Sequence, residues 1–466
     1  MKLIDRQAEL ARLQSTTKSR EGALVVLWGR RRVGKTRLLL EWCRNQGIYW
    51  VADASAAALQ RQNLAEVIAS RFAGFGDVDY RDWGSLLSRF GKEASAARFR
   101  GPLVIDELPY LVSVAPELPE ILQRFVDHDA KSAGLVLALA GSSQNMMQGL
   151  TLAANAPLYG RARELFKLEP LAPGHILEAL RLERARDGVS AYALWGGIPR
   201  YWELAEAFTD LREAVDALVL DPKGVLHEEP ARLLLEETPS ALGLRPILDA
   251  IGAGAHRVSE IAGRVGQPAT SLSRALSRLQ ELDFVLREAP FGEPERSGKR
   301  ALYKLADPFL QLWFSLVAPK RSALAQLPAS GRLRLFDAAY PRLVALAWEG
   351  LCRRAVPHLA ARLGDEYGPA ARYWSGNGPE WDVVARATGG TRLLLGEAKW
   401  MDKVPTAAQL DQAIHGLISK GVPQLDPANR EAVQYALFVP QRPKGKPVRP
   451  ANVSVLDAAD VLEVLR

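Results

Sequence analysis

The chain has 466 residues, 48% of them hydrophobic and 24% charged, which excludes a wholly disordered polypeptide and implies roughly three domains. Lys and Arg number 60 against 53 Asp and Glu, a net charge of +7 that permits an anionic partner without demanding one. Two cysteines, Cys43 and Cys352, and six scattered histidines leave no disulfide framework and no structural zinc spacing.

The N-terminal segment lacks a signal peptide's apolar core, and no apolar run nears the ~20 residues of a membrane span. A soluble, cytoplasmic protein without membrane contact is therefore expected. Up to residue 170, short aliphatic runs alternate with helical stretches, the pattern of a parallel sheet covered by helices. Strands are expected at 23–28, 47–52, 101–105, 134–140 and 162–168. Residues 171–235 read as helical with a Gly196-Gly197-Ile198-Pro199 break, and 236–318 as three short helices and two strands. Residues 319–331 read as a loose linker, and 332–466 as helix, three strands, helix, strand, then a final strand and helix.

Gly29-Arg30-Arg31-Arg32-Val33-Gly34-Lys35-Thr36, followed by Arg37, fits GxxxxGK[ST] between an apolar strand and a periodic helix. Glycines let backbone N–H groups wrap phosphates at a positive helix end. Lys35 then reaches the β/γ oxygens and the Thr36 hydroxyl meets Mg²⁺. Two later strand ends carry matching chemistry. Leu103-Val104-Ile105-Asp106-Glu107 puts a Mg²⁺-associated Asp beside a Glu that polarises the attacking water, and Gly141-Ser142-Ser143 supplies small polar groups for a γ-phosphate. ATP or GTP binding with Mg²⁺ is expected, and hydrolysis with it.

These segments, with Pro157-Leu158-Tyr159-Gly160-Arg161, Trp195-Gly196-Gly197-Ile198-Pro199-Arg200-Tyr201 and the opening Asp5-Arg6-Gln7-Ala8-Glu9-Leu10, resemble the archaeal-type P-loop ATPases. These are relatives of the STAND NTPases in the AAA+-like branch. The resemblance implies an ATP-driven switch with an ATPase core over 1–170 and a helical lid over 171–235. It implies that Gly197 and Pro199 face the adenine, as the opening segment does, and that Arg161 reads the γ-phosphate. A homo-oligomer is compatible with it.

Residues 258–265, a Gly266-Gln267-Pro268 turn, a second helix over 269–282 and two strands around a Pro/Gly loop follow the winged helix-turn-helix plan, assigned to 236–318. Arg274 and Arg278 on the second helix, and Lys299 and Arg300 at the wing, are the expected DNA contacts. Interspersed acids such as Glu281, Glu288 and Glu293 leave open that the segment is a connector.

Strands over 380–387 and 392–399 flank Thr388-Gly389-Gly390-Thr391. A Gly-Gly two-residue turn sets Asp382 opposite Glu397, with Lys399 on the same side and Ala398 turned away. Two carboxylates this close are costly unless a cation lies between them, and Mg²⁺ accepts such ligands. The lysine can orient water and offset charge on phosphorus. The arrangement resembles the PD-(D/E)XK nuclease core, with Trp381 where the namesake proline stands, and the 332–466 order matches its αβββαβ, restriction-endonuclease-like plan. The resemblance makes Asp382 and Glu397 metal ligands and Lys399 catalytic. It also makes Glu349, on a helix over 342–359, the upstream metal-supporting acid, and Gln409 a polar partner. The basic loop over 440–449 is either a phosphate track or a solvated loop. Two function classes stay open. One is an α/β multidomain enzyme coupling an ATP switch to Mg²⁺-dependent DNA cleavage in genome defence, mobile-element biology or repair. The other is a nucleotide-gated regulator or scaffold whose nuclease-like domain is inactive.

Overall fold

The computed structural model describes residues 3–19, 21–151, 156–237, 243–294, 300–376, 378–390, 392–423, 425, 432–443 and 450–466. The chain folds as two compact units, Met1–Pro170 and Leu171–Arg466.

The first unit is built on five strands: β1 (Ala23–Trp28), β2 (Ile48–Val51), β3 (Pro102–Asp106), β4 (Val136–Gly141) and β5 (Ala162–Lys167). They form one sheet in the order β2-β3-β4-β1-β5, and every pairing is parallel. β1 and β4 are buried at every position because helices cover both faces, which is why their sequences read as unbroken aliphatic runs. The order leaves β1 between β4 and β5, so the loop after β1 emerges beside the C-terminal ends of β4 and β5, with the end of β3 one strand further on. In open α/β sheets ligands bind at such carboxyl ends.

The second unit begins with helical segments that include Ala185–Trp195 and Pro199–Ala205. Helices Arg245–Gly252, Val258–Val265 and Leu272–Glu281 precede an antiparallel ribbon of β6 (Val285–Glu288) and β7 (Leu302–Leu305). Leu272, Leu276 and Leu279 recur every three to four residues and are buried, so the helix Leu272–Glu281 turns its other side outward.

The stretch over 319–331 is largely helix rather than linker: Ala318–Gln326 is helical, and a new helix starts at Ala329. Pro319 falls where the helical segment Trp313–Val317 runs into Ala318–Gln326, and the backbone departs from helical geometry at Lys320 (φ −120°), so the proline kinks the run without ending it, and the alanines that follow favour helix. The helix carrying Glu349 runs Ala329–Ala355, not 342–359, and contains Pro341. Near its start, Arg332 is clamped by Asp216 at 2.7 Å and Asp221 at 2.9 Å.

Beyond the long helix, β8 (Ala371–Tyr373), β9 (Trp381–Arg386), β10 (Arg392–Ala398), β11 (Ala432–Phe438) and β12 (Val453–Leu456) form a second sheet in the order β12-β11-β10-β9-β8. β8–β9 and β9–β10 are antiparallel, while β10–β11 and β11–β12 are parallel. Helix Ala407–Ser419 packs Leu410, Ile414 and Leu417 with Trp381, Leu395 and Leu437 of the sheet. Among the described residues no helix is long and apolar enough to cross a membrane.

Candidate functional site

In the first unit, the loop between β1 and the helix Lys35–Cys43 turns on Gly29, Arg32 (φ 69°) and Gly34 (φ 96°). A Cβ at Gly29 would sit 2.6 Å from the Leu168 carbonyl oxygen, so only glycine lets the loop leave β1 beside the end of β5. Arg32 holds a left-handed backbone without being glycine, a strain of about 1–3 kcal/mol of the kind that collects at binding loops. The Lys35 ammonium is nearly buried and donates to the carbonyls of Gly29 at 2.8 Å and Arg30 at 3.3 Å. Arg6, also nearly buried, donates to Val33 O at 3.1 Å and Glu169 O at 2.7 Å, tying the loop to the chain after β5. Arg31 donates to the Tyr110 hydroxyl at 2.9 Å.

Asp106, fully buried at the end of β3, joins the loop to the sheet. Its Oδ2 accepts from the Thr36 hydroxyl at 2.8 Å and from the Tyr49 hydroxyl at 2.7 Å, and its Oδ1 accepts from the Glu107 N–H at 2.9 Å. Burial, and then the Asp106 carboxylate, push the Tyr49 phenol far above its ordinary range, so it stays a donor. A hydroxyl and a carboxylate oxygen this close form the hard oxygen set that Mg²⁺ takes. Glu107 also has a left-handed backbone (φ 54°), and its Oε2 accepts from the Ser142 hydroxyl at 2.8 Å. Thr36, Asp106, Glu107 and Ser142 are thus brought together as the sequence spacing suggests. Tyr49 went unforeseen, because nothing local in Ile48-Tyr49-Trp50 marks a partner 57 residues away. Arg161 is engaged otherwise than expected: it pairs with Asp127 at 3.0 Å and donates to Pro157 O at 3.1 Å. Pro199 belongs to the second unit and opens the helix Pro199–Ala205.

The amino-acid sequence of residues 3–204 matches the family described as an ATPase domain predominantly from Archaea. This region is an archaeal-type P-loop ATPase domain. Residues 313–410 match a second family, of archaeal and bacterial proteins of unknown function, and that stretch contains Glu349, Asp382, Glu397 and Lys399. An uncharacterised protein of Methanocaldococcus jannaschii is 28% identical over 410 residues, 86% of this chain and 88% of its own length. A Walker-type ATPase of Pyrococcus abyssi is similar in fold, with a TM-score of 0.50 and 20% identity over 67% of this chain and 96% of that one.

Outside the ATPase domain, the β9–β10 hairpin has the register expected from its Gly-Gly turn, with pairs running from Leu393↔Arg386 to Gly396↔Val383. Asp382 and Glu397 are the next positions on the two strands. An irregularity in the β8–β9 pairing falls at the same end of β9, and bulges of this kind re-aim a side chain. The Asp382 Oδ2 accepts from the Ala398 N–H at 3.1 Å, and Arg353 donates to the Asp382 carbonyl at 2.9 Å. Glu397 lies 3.5 Å from the Lys399 ammonium and 3.2 Å from that of Lys420, just beyond the helix Ala407–Ser419. Burial raises the Glu349 carboxyl above its ordinary range, and the neighbouring Asp382 charge raises it further.

Lys420 and Arg353 are the members that sequence reading missed. Lys420 lacks a motif. Arg353 is one turn from Glu349, the spacing of an ion pair, and this was the available signal. Gln409 caps its own helix by accepting from the Thr406 N–H at 2.9 Å. Among the described residues no group of three or more His, Cys, Asp or Glu side chains is arranged to hold a metal ion. The donor set still fits Mg²⁺ with two carboxylates and substrate oxygens. The lysine pairs on Glu397 are partly exposed, and contacts of that kind are worth only about 0–1 kcal/mol each, so a divalent cation can displace them.

Of the expected DNA contacts, Arg274 is exposed on the helix Leu272–Glu281. Arg278 pairs with Glu281 at 3.1 Å and Arg300 with Glu293 at 3.1 Å, and Lys299 lies outside the described residues. In the basic loop, Arg442 pairs with Asp457 at 2.9 Å and Asp460 at 3.2 Å, while 444–449 lie outside the described residues.

Proposed function

We propose that the ATPase domain is a Mg²⁺-dependent, ATP-hydrolysing switch that controls metal-dependent DNA cleavage by the β9–β10 acids. Thr36 and Asp106 hold Mg²⁺, Lys35 and the loop amides bind the phosphates, and Glu107 takes the proton of the attacking water while Ser142 orients it. In the second unit, Asp382 and Glu397 hold the cation and Glu349 supports it. Lys399 orients water and offsets charge on the phosphodiester, and the bound cation supplies Lewis acidity there. The helices over 245–281 and the β6–β7 ribbon serve as a winged helix that presents Arg274, Arg278, Lys299 and Arg300 to duplex DNA. The observation that carries this reading is the hairpin register, which brings Asp382 and Glu397 to adjoining ends of two strands with Lys399 two residues on.

The test is incubation of the full chain with plasmid, single-stranded and branched DNA, with Mg²⁺ or Mn²⁺, with and without ATP. Cleavage is expected that disappears in Asp382→Asn while ATP turnover persists. Cleavage surviving that substitution refutes the assignment. A nucleotide-gated regulator that cuts nothing is the second reading, favoured by the glutamate partners of Arg278 and Arg300. Nucleotide-dependent DNA binding without cleavage under any metal would establish it.

A further inference from the structure

One guanidinium connects the β6–β7 ribbon to the acid-bearing hairpin. Arg353, on the long helix, donates from Nη1 to the Asp382 carbonyl at 2.9 Å and lies 3.8 Å from Glu349 Oε2. Its Nη2 lies 3.6 Å from Glu288 Oε1, at the end of ribbon strand β6. Glu288 in turn takes Lys304 of the facing strand β7 at 2.5 Å and Arg372 of β8 at 3.7 Å. Two acids, Glu288 and Glu349, therefore share three cations, and Arg353 is the member that touches both the ribbon and, through the Asp382 carbonyl, the hairpin. Its side chain is 14% exposed and that of Glu288 is 12%, so solvent and salt screen the contacts weakly. A cavity of about 210 Å³, lined by Glu288, Lys304, Glu349 and Arg353 among others, gives the guanidinium room to change partners.

We propose that Arg353 is a positioning residue for the acid site and that Glu288 on the ribbon sets it. While Glu288 holds Nη2, the guanidinium is shared, and Glu349 can support a divalent cation held by Asp382 and Glu397. When the ribbon shifts, Arg353 falls onto Glu349 and competes with the cation. By linkage the reverse also holds, so cation binding favours the engaged ribbon. The inference rests on the metal-binding reading of Asp382, Glu397 and Glu349 given above.

The experiment is Mn²⁺ titration of the nucleotide-free full chain by electron paramagnetic resonance, counting the binding that Asp382→Asn abolishes. Glu288→Gln should weaken that binding by about fivefold or more, the lower end of ordinary coupling between sites. Lys304→Gln, which leaves Glu288 to Arg353 and Arg372, should leave it unchanged or tighten it. Both variants disturb the same buried pair, so equal weakening in the two means simple loss of structure and overturns the proposal. If the parent shows no such Mn²⁺ binding, the metal-binding reading fails by itself, and hydrogen exchange then decides on Arg353. Faster exchange of the β9 amides in Glu288→Gln than in Lys304→Gln supports the Arg353–Glu288 link, and equal exchange overturns it.

Discussion

Around Asp106 the partners are mainly neutral: two hydroxyls and a backbone N–H meet the carboxylate, and Lys35 rests on carbonyls. Around Asp382 and Glu397 the neighbours are mostly charged, with Lys399, Lys420, Arg353 and Glu349 all within the same cluster. Neutral hydrogen bonds to a buried carboxylate are little affected by ionic strength, whereas partly exposed ion pairs weaken with salt and yield to a stronger cation. The ATPase domain is thus organised before its ligand arrives, and the hairpin is organised to exchange partners.

The sharpest test of that contrast is Lys35→Ala. The ammonium is the loop's only lysine, and losing a buried charge-assisted contact of about 3 kcal/mol should weaken ATP binding roughly a hundredfold. Titration with a fluorescent ATP analogue reads this, and undiminished affinity would remove the distinction between the two sites. Glu107→Gln should bind normally and stop turnover.

One residue inserted between Gly389 and Gly390 should next eliminate metal-dependent cleavage, because a single-step register shift sends one carboxylate to the other side of the sheet. ATP turnover by the same variant should equal that of the parent. Cleavage that survives the insertion would mean the acids do not act through the hairpin.

A smaller effect is expected from replacing Arg274 and Arg278 together with alanine. The log–log salt slope of duplex binding should fall by about one to two units, as for one or two lost phosphate contacts. An unchanged slope would make the helix Leu272–Glu281 a connector. The smallest effect concerns the thiols, one in each unit. Burial pushes Cys43 up to about 12 and Cys352 well above its ordinary value, so neither forms thiolate at pH 8. Ellman's reagent should label neither in the folded chain, and early labelling of Cys352 would show the second unit opening first.

The legible parts of this chain are those whose physics is local. Buried parallel strands leave unbroken aliphatic runs, so β1 and β5 start where the sequence suggests and β2, β3 and β4 begin within two residues of it. The phosphate loop and the Gly389-Gly390 turn are likewise written in adjacent residues. Two prolines lie inside helical stretches: Pro319 in the run read as a linker, and Pro341 one residue before the start expected for the Glu349 helix. The partners of Asp106, Glu397 and Asp382 come from Tyr49, Lys420 and Arg353, and only the folded chain brings these together.

Pro341 has a mechanical consequence for the region around it. Lacking an N–H, it leaves the Asp337 carbonyl without its usual helical donor, and its ring crowds that carbonyl. The helix stays continuous over Ala329–Ala355, and the turn at Pro341, one hydrogen bond short, divides it into two rods. The first rod is pinned by Arg332 to Asp216 and Asp221. The second carries Glu349 and Arg353, so any bend at that turn would displace both groups together, in addition to the exchange of partners open to the Arg353 side chain.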